Sequence, residues 1–167
     1  MKNTMILIVF LIAFIFISCA PQLTSIPTSE RIYQNVVEVD LSSEDIYNKT
    51  LTWMAESFRS SKEVIEYKDI VEGKIIGNTI ISVNFSEGIM PLYRDVRVTI
   101  IIEIKENKFR FTAKNFILDD MIFMNSHLPE TPVEYKEQLE KISPIIETNL
   151  INNLKEYLLE SSKPDEW

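Results

Sequence analysis

The chain has 167 residues, of which 46% are hydrophobic and 25% are charged, and its formal net charge is −8. This length suits one ordinary domain better than two, and the composition is that of a globular protein that should fold without disulfides or a structural metal. The acidic charge disfavours binding to nucleic acid, because such binding depends on a basic surface that releases counterions from the phosphates.

The amino-terminal segment predicts export and lipid anchoring. A short, positively charged start precedes an apolar run from Met5 to Ile17, which is too short to span a membrane and suits the core of a signal peptide. The run ends at Phe16-Ile17-Ser18-Cys19, which resembles the lipobox of bacterial lipoproteins. The resemblance implies that residues 1–18 are removed and that Cys19 becomes an acylated amino terminus.

The alternative is an ordinary secretory signal followed by an incidental cysteine. A lone free thiol is unusual in an exported protein, so acylation of Cys19 is the better interpretation. Two or three acyl chains hold a protein at a membrane far more firmly than one. We therefore expect a lipid-anchored protein of the bacterial cell envelope, at the outer membrane, with no thiol left for chemistry.

The next segments predict a tether, a strand and a helix. Residues 19–34 contain Pro, Ser and Thr without periodicity and predict a flexible tether. A strand is predicted over residues 35–41, and a capping box formed by Ser42 and Asp45 begins a helix that runs to Phe58. The apolar stripe of this helix is predicted at Tyr47, Leu51, Met54 and Phe58, with Ala55 beside it and Ile46 and Trp53 at the opposite margin.

Four further strands are predicted. Residues 64–68 and 74–85 are joined by a turn at Glu72-Gly73, and Gly77 is expected to mark a bulge or kink in the second of them. After a loop over residues 86–94, the clearest strand places Val96, Val98, Ile100, Ile102 and Ile104 on one face. A tight turn at Glu106-Asn107 then leads to a partner strand that presents Phe109, Phe111 and Ala113 to the same side.

The remaining residues predict an irregular region and a long helix. Thr131, Pro132 and Glu134 have the pattern of a helix start, with an N-cap, a proline in the first turn and a reciprocal carboxylate. Pro144 is expected to kink or restart the helix without breaking its stripe, and residues 161–167 form a polar tail. The stripe comprises Tyr135, Leu139, Ile142, Ile146, Leu150, Leu154 and Tyr157.

The order of these elements predicts one α+β domain over residues 35–160. Strands joined by short turns form an antiparallel sheet, here of about five strands, and the two helices are available to cover its apolar face. The other face of the sheet should remain in contact with water.

Several segments carry a resemblance to a known family. They are Val36-Val37-Glu38-Val39, Asp45-Ile46-Tyr47-Asn48, Trp53-Met54-Ala55-Glu56-Ser57-Phe58, Glu72-Gly73-Lys74-Ile75-Ile76-Gly77, Glu103-Ile104-Lys105 and Phe109-Arg110-Phe111. Together they resemble a domain family of unknown function, found mainly in Bacteroidetes-type bacteria, with a TATA-binding-protein-like (TBP-like) fold. The resemblance covers roughly Asn35 to Tyr157 and implies a fold but no chemistry. Nor does it imply DNA binding, because function belongs to sites and not to folds.

The sequence contains no recognisable catalytic, metal-binding or cofactor-binding motif. His127 is the only histidine, and the three glycines do not form a phosphate-binding loop. Neither zinc-ligand spacing nor a calcium loop is present. A hydrolase that depends on His127 is the alternative hypothesis, and a solvated loop histidine is the simpler interpretation.

One surface is a candidate binding site. The water-exposed face of the last hairpin carries cationic and hydroxyl side chains, with Glu103 as the only acidic side chain expected among them. It is either an ordinary solvated face or a platform for an anionic partner. The residues are Arg97, Thr99, Lys105, Lys108, Arg110, Thr112 and Lys114. We expect a non-catalytic domain that binds an envelope protein or an anionic envelope component through this face, without a cofactor, a metal or nucleic acid.

Overall fold

The computed structural model describes residues 23–58, 65–86, 90–119, 121–123 and 126–160, and of residues 121–123 and 126–128 only the backbone. Its main sheet is antiparallel, and its strands follow the order β1-β5-β4-β3-β2. These strands are β1 (Ile32–Glu38), β2 (Ile65–Asp69), β3 (Lys74–Asn84), β4 (Tyr93–Lys105) and β5 (Lys108–Leu118). A separate small hairpin is formed by β6 (Met121–Phe123) and β7 (Ser126–Leu128), and β8 (Thr131–Pro132) pairs with the end of β5.

The helices pack on one side of this sheet. Helix α1 (Ser43–Ser57) lies against β4 and β5, and α2 (Lys136–Ile146) lies against β3. A π-helical turn (Glu147–Asn152) connects α2 to α3 (Asn153–Glu160), which packs on α1. The predicted α+β fold, with helices covering one face of an antiparallel sheet, is confirmed. None of the helices in the described ranges has the length and apolar character needed to cross a membrane.

Helix α1 begins as predicted but buries a different stripe. The Ser42 hydroxyl accepts a hydrogen bond from the Asp45 backbone N–H at 3.1 Å, which satisfies one of the free donors of the first turn. The buried residues are Ile46, Tyr47, Thr50, Trp53 and Met54. Ile46 and Trp53 therefore belong to the core, whereas Ala55 is exposed. The reason is α3, against which Trp53 packs while its indole Nε1 donates a hydrogen bond of 2.6 Å to Asn153 Oδ1.

The alternation predicted for β4 is confirmed by burial. Val96, Val98, Ile100, Ile102 and Ile104 are each at most 5% exposed. The turn is a two-residue connection, because Lys105 pairs with Lys108 and Asn107 adopts a positive φ of 61°. Phe109, Phe111 and Ala113 of β5 are fully buried on the same side.

Register irregularities lie beside Gly77 and in β5. Gly77 pairs in regular register with Ile100 of β4, but its pairing with β2 shifts between Ile65–Gly77 and Tyr67–Ile76, so an irregularity is present at this glycine and its extra residue lies on β2. In β5 the register shifts between the pairs Thr99–Lys114 and Arg97–Ile117, which adds one residue to this strand. Asn115 adopts a φ of 54° there, a conformation that asparagine tolerates better than most residues. Beyond the bulge the buried face of β5 passes from odd to even residues, at Phe116 and Leu118.

The last helix starts later than predicted. Thr131 and Pro132 form β8 and pair with Leu118 and Ile117, so the predicted N-cap at Thr131 is wrong. Pro132 can occupy this edge position because no hydrogen bond from its backbone nitrogen is needed there. Helix α2 begins at Lys136, and the Gln138 side chain accepts hydrogen bonds from the backbone N–H groups of Glu134 and Tyr135 at 3.1 and 3.2 Å.

The apolar stripe continues past Pro144, as predicted. Ile142, Ile146, Leu150 and Leu154 are all buried. The π-helical turn follows Pro144 and rotates the stripe slightly, because a wider turn contains additional residues. As a result Leu158 is fully buried, whereas Tyr157 is only partly buried.

The predicted tether over residues 19–34 overlaps a segment that is bonded to the domain. The Thr24 carbonyl accepts a hydrogen bond from Lys136 N, and Ile26 N donates one to the Glu134 carbonyl, each at 2.9 Å. A short 3-10 turn then leads into β1, which begins at Ile32 and not at residue 35. These bonds satisfy backbone groups ahead of α2 that periodicity in the sequence does not reveal.

Replacing Gly73 with alanine is expected to destabilise the fold by about 2 kcal/mol or more. Gly73 ends the β2–β3 turn with a φ of +62°, and a Cβ added to it would lie 2.5 Å from the Ile104 carbonyl oxygen. Chemical denaturation would measure the loss. Val71→Ala is the matched control in the same turn, since Val71 is 94% exposed and should change stability by less than about 0.5 kcal/mol. Equal stability of the two variants would contradict the strain assigned to Gly73.

Candidate functional site

The sheet side turned away from the helices, here called the open face, holds all seven predicted binding residues. The pairing of β4 with β5 sets Lys105 against Lys108, Glu103 against Arg110, and Thr99 against Lys114. Thr112 pairs with Ile101 in the row between them. Paired residues of an antiparallel sheet project to the same side, so the predicted parity of the two strands is correct.

The hairpin end of the open face is not the positive surface that the sequence suggested. Lys105 and Lys108 are exposed, and neither side chain makes an ion pair or hydrogen bond to a described residue. However, carboxylates lie around both lysines. The groove at Lys108 is lined by Glu38, Asp40 and Glu106, and the one at Lys105 by Glu44, Glu72 and Glu106. An anionic group approaching this end would therefore be repelled by more charges than attract it.

The two open-face arginines are held in ion pairs. Arg110 contacts Glu103 at 2.6 Å, and Arg97 contacts Asp119 at 2.7 Å and Glu130 at 3.1 Å. Glu103 was expected as the only opposing charge, so the acids at Arg97 are a correction. They come from the end of β5 and from the segment before β8, which the sequence does not place beside β4.

Thr112 is the one candidate residue that is covered. It is 7% exposed, and its hydroxyl accepts a hydrogen bond of 2.8 Å from Gln34 Nε2 on the neighbouring strand β1. This side chain is therefore part of the sheet's internal bonding and is not free to contact a partner.

A cleft of about 530 Å³ opens on the open face beside the β5 bulge, and is called here the bulge cleft. Its floor is polar: the Thr99 hydroxyl donates to Asn78 Oδ1 at 2.9 Å, and Asn78 Nδ2 donates to Glu66 at 2.6 Å. The lining consists of Thr28, Arg31, Ile32, Asn78, Arg97, Thr99, Lys114, Asn115, Phe116, Ile117, Pro132 and Val133. Such a volume is in the range of small-molecule sites.

Lys114 is the distinctive residue of the bulge cleft. It is half-buried, and no described residue forms an ion pair or hydrogen bond with its side chain. The other cleft cations have acids, since Arg31 lies 3.9 Å from Glu134 and Arg97 is paired as above. Lys114 is thus the cation whose charge remains available to a bound group.

Sequence reasoning missed most of this cleft, although one signal was present. The buried residues of β5 pass from Phe109, Phe111 and Ala113 to Phe116 and Leu118, and this change of parity indicates an inserted residue. An asparagine at Asn115 suits the positive φ that such a bulge requires. The walls from residues 28–32 and from Pro132 carry no comparable signal.

Two apolar side chains on the open face are exposed. Val36 is 55% exposed beside Arg110, and Ile80 is 51% exposed beside Arg97. None of the described helices covers them, because the helices pack on the opposite side of the sheet. The open face therefore combines apolar surface, arginines in ion pairs, and lysines that form no ion pair with a described residue.

A second polar cluster lies on the helix side of β1. The Tyr33 hydroxyl donates to Glu147 Oε2 at 2.5 Å, and Asn35 Nδ2 donates to the same carboxylate at 3.1 Å. Burial, then the hydrogen bond and charge of Glu147, raise the pKa of Tyr33 to about 12. Tyr33 therefore stays protonated near neutral pH and acts as a donor that ties β1 to the π-helical turn.

The structure does not describe the side chains of the other two candidate residues, Cys19 and His127. Cys19 and its signal segment lie outside the described residues. The backbone of His127 is in β7, opposite Ile122, and its side chain lies outside the description. Among the side chains that are described, no group of three His, Cys, Asp or Glu residues could hold a metal ion.

The comparisons with known proteins concern the domain as a whole. Residues 33–118 match a family model described as a domain of unknown function (DUF4468) with TBP-like fold. The structure is similar to a DUF4468 family protein from Bacteroides ovatus, with a TM-score of 0.59, 12% identity, and coverage of 81% of this chain and 88% of that chain. It is also similar to a TBP-like protein from Parabacteroides distasonis, with a TM-score of 0.60, 11% identity, and coverage of 77% and 92%. At such identities the likeness shows the fold alone. No curated protein shows significant similarity to the chain.

Proposed function

This chain belongs to the DUF4468 family of domains with a TBP-like fold, and on that premise we propose that it is a lipid-anchored binding protein of the bacterial cell envelope. In this proposal Cys19 carries the acyl chains at the outer membrane, and the domain is non-catalytic. The open face contacts the partner, which is an envelope protein or an anionic envelope component and not nucleic acid.

The observation that carries the binding role is a sheet face that no described helix covers and that bears exposed apolar side chains on β1 and β3. Val36 and Ile80 would be the natural contacts of a partner, because burying apolar surface is the main driving force of association. The paired charges around them supply the polar surroundings typical of such interfaces. Lys114 adds a cation that a partner's anionic group could neutralise.

The lipid anchor is supported by the sequence alone. An apolar segment of signal-peptide length ends at Ser18-Cys19, and the chain has no other cysteine. Anchoring would present the open face to other components of the same envelope.

Substituting Val36 and Ile80 together with glutamate is expected to lower capture of the native partner by about tenfold or more. Both side chains are exposed, so the thermal transition should change little. The measurement is a pull-down of envelope components by the acylated protein, with the captured amounts compared by mass spectrometry.

The control for this experiment makes the same chemical change away from the open face. Val71 and Met90, which are 94% and 77% exposed, lie in a turn and a loop, and their double replacement by glutamate should leave capture unchanged. Equal capture by wild type and by the Val36 and Ile80 variant would remove the open face as the binding surface.

A further inference from the structure

The bulge in β5 creates an asymmetry in the open face. One extra residue at Asn115 brings Lys114, Asn115 and Ile117 to the lining of the same cleft. In a regular strand, successive side chains would point to opposite faces of the sheet. The segment with Thr28 and Arg31 forms one wall, and β8 contributes Pro132 to the other. The cleft is thus assembled from parts of the chain that are far apart in sequence and is present without a partner.

We propose that the bulge cleft binds a carboxylate group carried on a short apolar chain, with Lys114 as the cation that the carboxylate contacts. This inference rests on the proposed binding role of the open face and names the chemistry of one ligand for it. The same chemistry occurs in a free branched-chain acid and in the carboxyl terminus of a peptide.

The charge of the cleft selects a group with one negative charge. Lys114 presents an ammonium with three donors and no counter-ion among the described residues. Three acids near the cleft are already engaged, since Asp119 and Glu130 bond to Arg97, and Glu66 bonds to Asn78. A carboxylate at the half-buried Lys114 would form a charge-assisted hydrogen bond, the strong kind, with the Asn115 amide close by.

The walls of the cleft select an apolar chain behind that group. Ile32, Ile117 and Pro132 lie along it, and their apolar surface is the part that a hydrated inorganic anion could not use. Phosphate sites in proteins combine several cationic or backbone N–H donors, and here Lys114 is a single cation because both arginines of the lining are bonded to acids or to backbone. Inorganic phosphate should therefore bind poorly.

The test is calorimetric titration of the acylated protein in a nonionic detergent with four small probes. They are 4-methylpentanoate as the free acid, N-acetylleucine as the carboxyl terminus of a peptide, N-acetylleucinamide as its uncharged counterpart, and inorganic phosphate. We expect saturable binding of at least one of the two acids, with affinity about tenfold or more above that for the amide and for phosphate. The preferred acid identifies the source of the ligand.

Variants at Lys114 locate the binding. Lys114→Met keeps the length of the side chain, removes its charge and should lower the affinity for the acid about tenfold or more, whereas Lys114→Arg should retain most of it. Lys155→Met is the matched control on an exposed turn of α3 and should have no effect. Each variant is first shown by its thermal transition to be folded.

Three results would overturn the proposal, and the first two are no saturable binding of either acid and an affinity unchanged in Lys114→Met. The third is phosphate binding as tight as that of the acids, because the apolar walls would then have no role. Failure here is separate from failure of the open-face role, since Val36 and Ile80 do not line the cleft.

Discussion

Replacing Cys19 with serine is expected to move the protein from the membrane fraction to the soluble fraction. The physical reason is the size of the anchor, because each buried methylene contributes about 0.8 kcal/mol and two or three acyl chains supply enough of them for stable attachment. No described helix offers an alternative means of crossing the bilayer. Fractionation at high salt, which removes proteins held by charge alone, together with the intact mass of the wild type, measures the effect.

The control for Cys19 is Ser18→Ala, which keeps a small residue before the cysteine and should leave the protein in the membrane fraction. If Cys19→Ser stays with membranes, and the wild type carries no acyl mass, the ordinary secretory signal is the correct interpretation and the anchor is wrong.

Truncating Ile102 to alanine should destabilise the domain by about 2–5 kcal/mol. Ile102 is fully buried in the central strand β4, where it pairs with Ile75 of β3 and Phe111 of β5. Because strands on both sides hold these neighbours in place, the cavity left by the missing atoms cannot readily collapse. The free energy of unfolding from a denaturant titration gives the loss.

Ile80→Ala is the matched change on the open face. Ile80 is 51% exposed, so this variant should lose less than about 1 kcal/mol. A loss below about 0.5 kcal/mol for Ile102→Ala would mean that the two faces of β4 are assigned the wrong way round.

The face assignments of the central strands could be predicted from the sequence because each strand carries its own signal. Alternation with a period of two is a local property, and in β4 the residues from Val96 to Ile104 follow it without interruption. The capping interaction at Ser42 is local as well. Such local signals predict the strands of the sheet and the face on which each candidate residue lies.

Features that depend on distant residues could not be predicted in the same way. Thr131 and Pro132 have the local pattern of a helix start, but pairing with β5 decides their structure. Trp53 was placed at a margin because helical periodicity does not show that α3 packs there. The acids that neutralise Arg97 were missed because the bulge and β8 bring them to it.

The hydrogen bond between Thr24 and Lys136 sets the length of the segment that would connect the acylated cysteine to the domain. If Cys19 is acylated as proposed, five residues reach from it to Thr24, and fully extended they span at most about 18 Å, whereas sixteen free residues would span about 55 Å. The bulge cleft, which Thr28 and Arg31 line, lies at the end of the sheet where this segment enters β1. The hairpin lysines lie at the far end of β1, about 20 Å farther away, which is beyond the Debye length of about 8 Å in physiological salt. The attachment point at Thr24 would therefore stay within about 18 Å of the acylated residue, and the acid-rich hairpin end would lie about 20 Å farther from that point than the cleft does.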